Sequence, residues 1–553
     1  MKIPPRAPAQ VMRLPVLGAF CQTRLSFMRV LSRRLQSERW RFSRPVWNID
    51  GRGEGVAVYR ATNARARDTY SLVVFSRDLP PHLRSDRVIA EAWDAAFTLF
   101  DGVPSPRDIK KMRTNVPLQE AGRNDPRQLV LSRANRSARA FSAAVESLAR
   151  GECPSRGIAE SGYLMRTTAV YGNGKFGTAI RERIRDRPEF SPPFAAEMLA
   201  VFMFRAFPAD LVEHLATAKS TTAAKFARES RRAIGIGNST GLGMAPFLVN
   251  RPILLHHWIS ARETALARVR SLPAADENTI KQFLSFAKKA EKQAARGRTD
   301  DPGQRRKNAR VRDDLRRLRK HFRAADINNT PLPWNTVYRG GGAEMSAEGR
   351  ETLVSLLLEP HGELIDDLAA AMAADETFFL DGGATVGDTR DSLARYCKWT
   401  ARGSFSTARS RAQFWYVSEE KQEPRLGARG AEPGAELELP LAVMRDARAF
   451  AAALAGENAD LPLALFLSRH PEHRGAARRA QIAARFPFGE IRDNLIAAEM
   501  SPLDLLRCKL SFFGASQFDP RSDRWLRINM FQYAPYPDEI GAAPADEWAW
   551  EAS

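Results

Sequence analysis

The chain has 553 residues, 44% hydrophobic and 27% charged, with a formal net charge of +20. That length exceeds one ordinary hydrophobic core, and the composition excludes a predominantly disordered chain. The four cysteines, Cys21, Cys153, Cys397 and Cys508, lie far apart with no C-x-x-C pair. This excludes a disulfide scaffold and a zinc ribbon and makes the cytoplasm the expected compartment.

Near the start, the partly apolar run 11–35 is interrupted by Arg13, Pro15, Gln22 and Arg24. It forms no clean signal-peptide core, and no membrane span is expected anywhere in the chain. Phe27, Met28, Leu31 and Leu35 recur at helical spacing, which predicts an amphipathic helix. Residues 47–80 read as β: a turn at Asp50-Gly51, alternation through Val56 and Val58, then the β-branched run "DTYSLVVFSRDLP".

From 86 onward the reading is helical. "DRVIAEAWDAAFTLF" carries a stripe at 88, 89, 93, 96, 97 and 100, and "RANRSARAFSAAVESLAR" over 133–150 is similar. Ser191-Pro192-Pro193 opens a run, Phe194 to Phe207, that is apolar nearly all round and is expected to be a buried helix broken by Pro208. Residues 276–325 predict two antiparallel basic helices with Phe283, Leu315 and Phe322 turned inward. "PLPWNTVYRGGGAEMS" reads as irregular. Helices follow at 347–373, 388–400 and 443–510, with strand-like stretches at 411–427, 437–441 and 525–531.

The expected fold class is mainly α (α+β): a multi-helix bundle core, a small N-terminal β-hairpin or sheet, and a mixed C-terminal region. Three regions follow: 1–85, an N-terminal helix plus β-hairpin; 86–330, a helical bundle with the basic hairpin 276–325; and 331–553, mixed α+β.

Two glycine-rich stretches attract attention as anion sites. In "GIGNSTGLGMAPF", Gly235, Gly237, Gly241 and Gly243 surround Asn238, Ser239 and Thr240. Thr240 stands where the dinucleotide fingerprint needs its third glycine, and no Gly-Lys-Ser/Thr follows, so neither a Rossmann turn nor a P-loop is present. A more general anion nest remains, with a plain interhelical turn as the alternative. "YGNGKFG" offers Asn173 and Lys175 between glycines, beside Tyr171. "NTVYRGGG" adds Tyr338 and Arg339, whose guanidinium suits a carboxylate or phosphate.

These residues predict a soluble enzyme acting on a small anionic carboxylate or phosphate metabolite. Asn173, Lys175, Asn238, Ser239, Thr240, Arg251, Tyr338 and Arg339 would hold the ligand, and His256, His257 or Tyr171 would move the proton. The two Asn-Gly stretches are expected to face one pocket. No cofactor is identified and no metal is assigned, since His470 and His473 lack a third ligand nearby. Nucleic acid is the alternative partner, through the basic hairpin; its competing explanation is a solvated charged face. The sequence leaves the oligomeric state open.

Overall fold

A computed structural model describes residues 3–13, 16–65, 68–83, 92–137, 140–154, 162–239, 251–273, 276–297, 302–324, 333–372, 378–402, 414–415, 439–440, 443–490, 507–515, 517–519, 527–541 and 547–550. The chain is mainly helical with an α+β organisation. It divides into two compact units: Cys21–Thr240 with Lys288–Asp300 and Leu510–Ser553, and Met1–Phe20 with Gly241–Ala287 and Asp301–Lys509.

The first unit is built on a nine-stranded sheet. Its strands are β1 (Arg41–Ile49), β2 (Gly55–Thr62), β3 (Thr69–Ser76), β4 (Ala95–Asp101), β5 (Gln128–Arg136), β6 (Tyr163–Thr167), β7 (Gly235–Ser239), β10 (Gln517–Asp519) and β11 (Arg527–Met530). A separate two-residue ribbon pairs β8 (Phe414–Trp415) with β9 (Leu439–Pro440). The large sheet runs β1-β2-β3-β4-β5-β6-β7-β11-β10, antiparallel except for β6 beside β7. The two runs expected to form a hairpin or small sheet pair as β2–β3, and the turn expected at Asp50-Gly51 joins β1 to β2, where the Asp50 carboxylate accepts the Arg52 and Glu54 N–H groups at 2.9 Å each.

The sheet extends well beyond that hairpin. Residues 95–101, expected in a helix, form β4, and the first part of the 133–150 helix is the end of β5; the helix there is Ala140–Ala149. The reason is burial on both faces. Phe100 packs with Val58, Val73 and Val116 on the side of the Pro106–Leu118 helix, while Phe97 stacks on Phe204 at 4.2 Å on the other. A strand covered on both sides loses its polar alternation, and its apolar run imitates a helical stripe.

The buried helix is Ala195–Phe204, and Phe202 is 0% exposed. Pro208 does not end the helical path. A second helix, Ala206–Lys219, starts at once, and Arg205 between them keeps helical dihedrals (φ −56°, ψ −29°). Pro208 lacks the N–H that would bond four residues back, which interrupts the ladder here without turning the chain aside.

In the second unit, the helix Pro252–Arg270 packs against Trp334–Ala343, Ala347–Leu358, Gly362–Ile365 and Leu368–Ala371. A further cluster gathers Val386, Leu393, Phe450, Leu463, Phe466 and Ala477. The stretch Trp334–Ala343, expected to be irregular, is a helix despite three glycines. A Cβ on Gly341 would stand 2.9 Å from Leu318 Cδ1, so the glycine permits close approach to the helix Pro302–Ala324. Phe283, Leu315 and Phe322 point inward as their spacing predicts, with Phe283 5.4 Å from Phe322 and 5.3 Å from Trp334.

Candidate functional site

Strand β1 lies at the sheet edge, and its register with β2 shifts between Ser43 and Val46, at Pro45. Proline has no ladder N–H, so it belongs on an edge or in a bulge, and here it has both. The irregularity leaves Phe42, Ser43, Arg44 and Trp47 on one wall of a cavity of about 680 Å³. Volumes of this size suit small organic ligands. The opposite wall is the helix Ala206–Lys219, whose Asp210, Glu213, His214 and Thr217 all line the cavity. They recur at i, i+3, i+4 and i+7, one polar stripe on a helix whose other face buries Phe207, Leu211, Val212 and Ala216. Tyr59, Lys225, Phe226, Arg231 and Asp538 line it too.

Asp210 is the centre of the polar wall. Its Oδ2 accepts from Arg44 Nη1 at 2.8 Å and from the Tyr59 hydroxyl at 2.8 Å, and its Oδ1 from Arg231 Nη2 at 2.6 Å. Burial and the adjacent Asp210 charge push the Tyr59 phenol well above its usual range, so it stays a donor. Burial opposes the charge on Arg231, but Asp210, Tyr536, Glu213 and Asp538 outweigh it and hold the guanidinium protonated. Its Nε–H is buried with no acceptor among the described residues. Glu213 Oε1 accepts the Phe226 N–H at 3.1 Å. The Arg44 guanidinium lies over the Trp47 ring at 4.6 Å, and Lys225 is exposed with no ion pair among the described residues.

His214 has a defined tautomer. Its Nε2 lies 2.9 Å from the Asp50 carbonyl oxygen, which only accepts, so Nε2 carries the proton. The basic Nδ1 then accepts from Trp47 Nε1 at 3.4 Å, a long bond that a ligand donor can replace.

Arg205 braces this wall from beneath. Fully buried, it donates to the carbonyls of Ile234 at 2.6 Å, Ala534 at 2.6 Å and Arg232 at 2.7 Å, and stacks over Tyr536 at 4.1 Å. Burial lowers its pKa to about 10, which leaves it charged at neutral pH. One side chain thereby fixes the segments that carry Arg231 and Asp538.

None of the residues singled out in the sequence lines this cavity. Asn238 and Ser239 lie in β7, so the glycine stretch begins as a strand and the nest expected there is corrected as far as Ser239. The Asn238 side chain is buried and donates to Thr167 Oγ1 at 3.0 Å and to the Thr168 carbonyl at 2.6 Å. Gly235 and Gly237 serve close approach: added Cβ atoms would stand 2.6 Å from the Met530 carbonyl oxygen and 2.9 Å from the Tyr163 ring. Thr240 and the residues to 250 lie outside the described residues, as do 416–427 of the aromatic stretch.

Asn173 and Lys175 sit exposed on a turn, where Asn173 Oδ1 accepts the Arg181 N–H at 3.0 Å. Tyr171 pairs its backbone with Leu131 and sets its ring edge-on to Phe176 at 5.1 Å. His256, His257, Arg251, Tyr338 and Arg339 belong to the other unit. Arg251 precedes the helix Pro252–Arg270, with His256 and His257 in its first turns, their rings 5.5 Å apart. Burial, then His257, lowers the His256 pKa to about 4, and its Nδ1 accepts the Phe488 N–H at 3.2 Å. At neutral pH it is an uncharged hydrogen-bond acceptor already in use. Tyr338 lies 4.2 Å beneath Arg270, and Arg339 is exposed on its helix.

The cavity did leave one mark in the sequence: four polar residues at helical spacing within "FPADLVEHLATA", an otherwise apolar segment. No described helix is long and apolar enough to cross a membrane, and no group of three or more His, Cys, Asp or Glu among the described residues could hold a metal ion. Compared with protein-family models, curated proteins and solved structures, the chain matches none of them.

Proposed function

We propose that this protein binds a small organic anion with a flat apolar body in the cavity between β1, β2 and the helix Ala206–Lys219, and acts on it as a cytoplasmic enzyme. The observation that carries this reading is the lining itself, where Phe42, Trp47 and Phe226 stand beside Arg44, Lys225 and Arg231. Two of the three lining acids are occupied: Asp210 accepts three donors, and Glu213 holds the Phe226 N–H, while Asp538 is exposed. The cations at the rim are accessible. Arg44 is 43% exposed at its side chain, and Lys225 has no ion pair among the described residues. A carboxylate or phosphate therefore meets Arg44 and Lys225 while its apolar body lies against the aromatic wall. His214 Nδ1 is the cavity's proton acceptor, as its weak bond to Trp47 yields to a substrate hydroxyl or amine.

Calorimetric titration with benzoate, phenyl phosphate and benzylamine tests the reading. Benzoate and phenyl phosphate should bind and benzylamine should not. Arg44→Ala with Lys225→Ala, and separately Trp47→Ala, should weaken binding at least ~10-fold, the loss of one charge-assisted contact or one aromatic face. Preference for benzylamine, or anion binding indifferent to these changes, overturns it.

A further inference from the structure

We infer that the outer face of the helix Pro302–Ala324 is a docking surface for the phosphate backbone of a nucleic acid. This helix belongs to the second unit, shares no residue with the cavity and stands independently of the proposed ligand.

Its inner face is settled. Val311, Leu315, Leu318 and Phe322 are buried, and Asp314 is buried with its Oδ2 accepting the Ser346 N–H and hydroxyl at 3.0 and 2.7 Å. At about 100° per residue, Arg305, Arg306, Arg310, Arg316, Arg317 and Lys320 then fall on one outward arc of roughly 140°. All six are exposed. Asp313 is the one acid on that arc among the described residues, pairing with Arg312 at 3.0 Å and more loosely with Arg316 at 3.9 Å. Arg317 reaches back to Asp314. Arg305, Arg306, Arg310 and Lys320 make no ion pair with any described residue.

Four uncompensated cations over about 22 Å of helix is an arrangement that folding does not require, since like charges on adjacent turns repel. It fits a polyanion of regular spacing. A bilayer fits worse: a helix that lies on a membrane inserts an apolar face, and here that face is buried in the protein. Three of these four cations are arginine, which grips phosphate through paired N–H groups.

The test is fluorescence anisotropy with labelled 25-base-pair DNA, 25-base-pair RNA and a 25-nucleotide single strand, from 50 to 200 mM salt. At least one should bind with micromolar affinity at 50 mM and with a log–log salt slope of about −4, near one counterion per phosphate contacted. Arg305→Gln, Arg306→Gln, Arg310→Gln and Lys320→Gln combined should weaken binding at least ~30-fold and flatten the slope by about 3. The same loss of charge elsewhere, Arg107→Gln, Lys110→Gln, Lys111→Gln and Arg113→Gln on the helix Pro106–Leu118, should change affinity less than ~3-fold. Should the combined variant not fold, Arg306→Gln and Arg310→Gln singly should each flatten the slope by about 1. Absence of binding to all three probes, equal loss in the two fourfold variants, or binding to anionic vesicles in place of nucleic acid overturns the inference.

Discussion

Glu351→Gln probes the most deeply buried charges of the second unit. Glu351 Oε1 accepts from Arg6 Nη1 at 2.6 Å, and Oε2 from Arg262 Nη1 at 2.7 Å and Arg6 Nη2 at 3.1 Å. Glu263 takes the other edge of Arg6 at 2.7 Å twice and lies 3.6 Å from Arg262. Two cations and two anions thus neutralise one another with almost no solvent contact. Burial raises the Glu351 carboxyl, but Arg6 and Arg262 outweigh it and hold it at about 2 against an ordinary 4.5. That difference corresponds to about 3 kcal/mol of folding stability. The glutamine keeps one acceptor oxygen but leaves Arg262, itself fully buried, a carboxylate short, so a loss of about 3–5 kcal/mol at pH 7 is expected.

Because the folded carboxyl is the stronger acid, its contribution is present above about pH 4.5 and vanishes as pH falls through about 2. The gap between wild type and Glu351→Gln should therefore be constant from pH 7 to about 5 and shrink below that. Urea titration with amide exchange read on the helices Pro252–Arg270 and Ala347–Leu358 measures it. Glu351→Leu with Arg262→Met should cost less than Glu351→Gln alone, since no charge is stranded. A loss under about 1 kcal/mol at pH 7, or a gap unchanged down to pH 2.5, refutes the reasoning.

Phe202→Ala should cost ~3–5 kcal/mol in the first unit, because Phe202 is 0% exposed and touches Phe42 at 5.7 Å and Phe531 at 5.4 Å; a thermal or urea midpoint shift near zero would count against it. His256, held near 4 by burial and by His257, should show no ring titration between pH 5.5 and 8 by NMR. Since the unfolded histidine binds its proton near ~6.5, this group's contribution to stability should decline as pH falls from about 6.5 to 4. A midpoint above 6 would show that the ring is not desolvated.

What the sequence determined is everything that one-dimensional periodicity can encode. The stripe Phe27, Met28, Leu31 and Leu35 became the helix Phe27–Ser37. The all-round apolar run near Phe202 became a buried helix, and the inward row Leu315, Leu318 and Phe322 marked the core side of a basic helix. A side chain repeating every turn must face one way, whatever the rest of the chain does.

Tertiary structure decided the features that depend on partners distant in sequence. β4 reads as a helix until helices cover both of its faces. Gly235 and Gly237 read as an anion loop until β6 and β11 close on them, with Gly237 opposite Asn529 and Arg166. The cavity joins Arg44, Tyr59, Asp210 and Arg231, which no local pattern connects. Asp210 acquires its meaning only when β1, β2 and the segment around Arg231 each bring a donor to one carboxylate, because satisfying a half-buried charge is a property of the packed chain and not of any stretch of it.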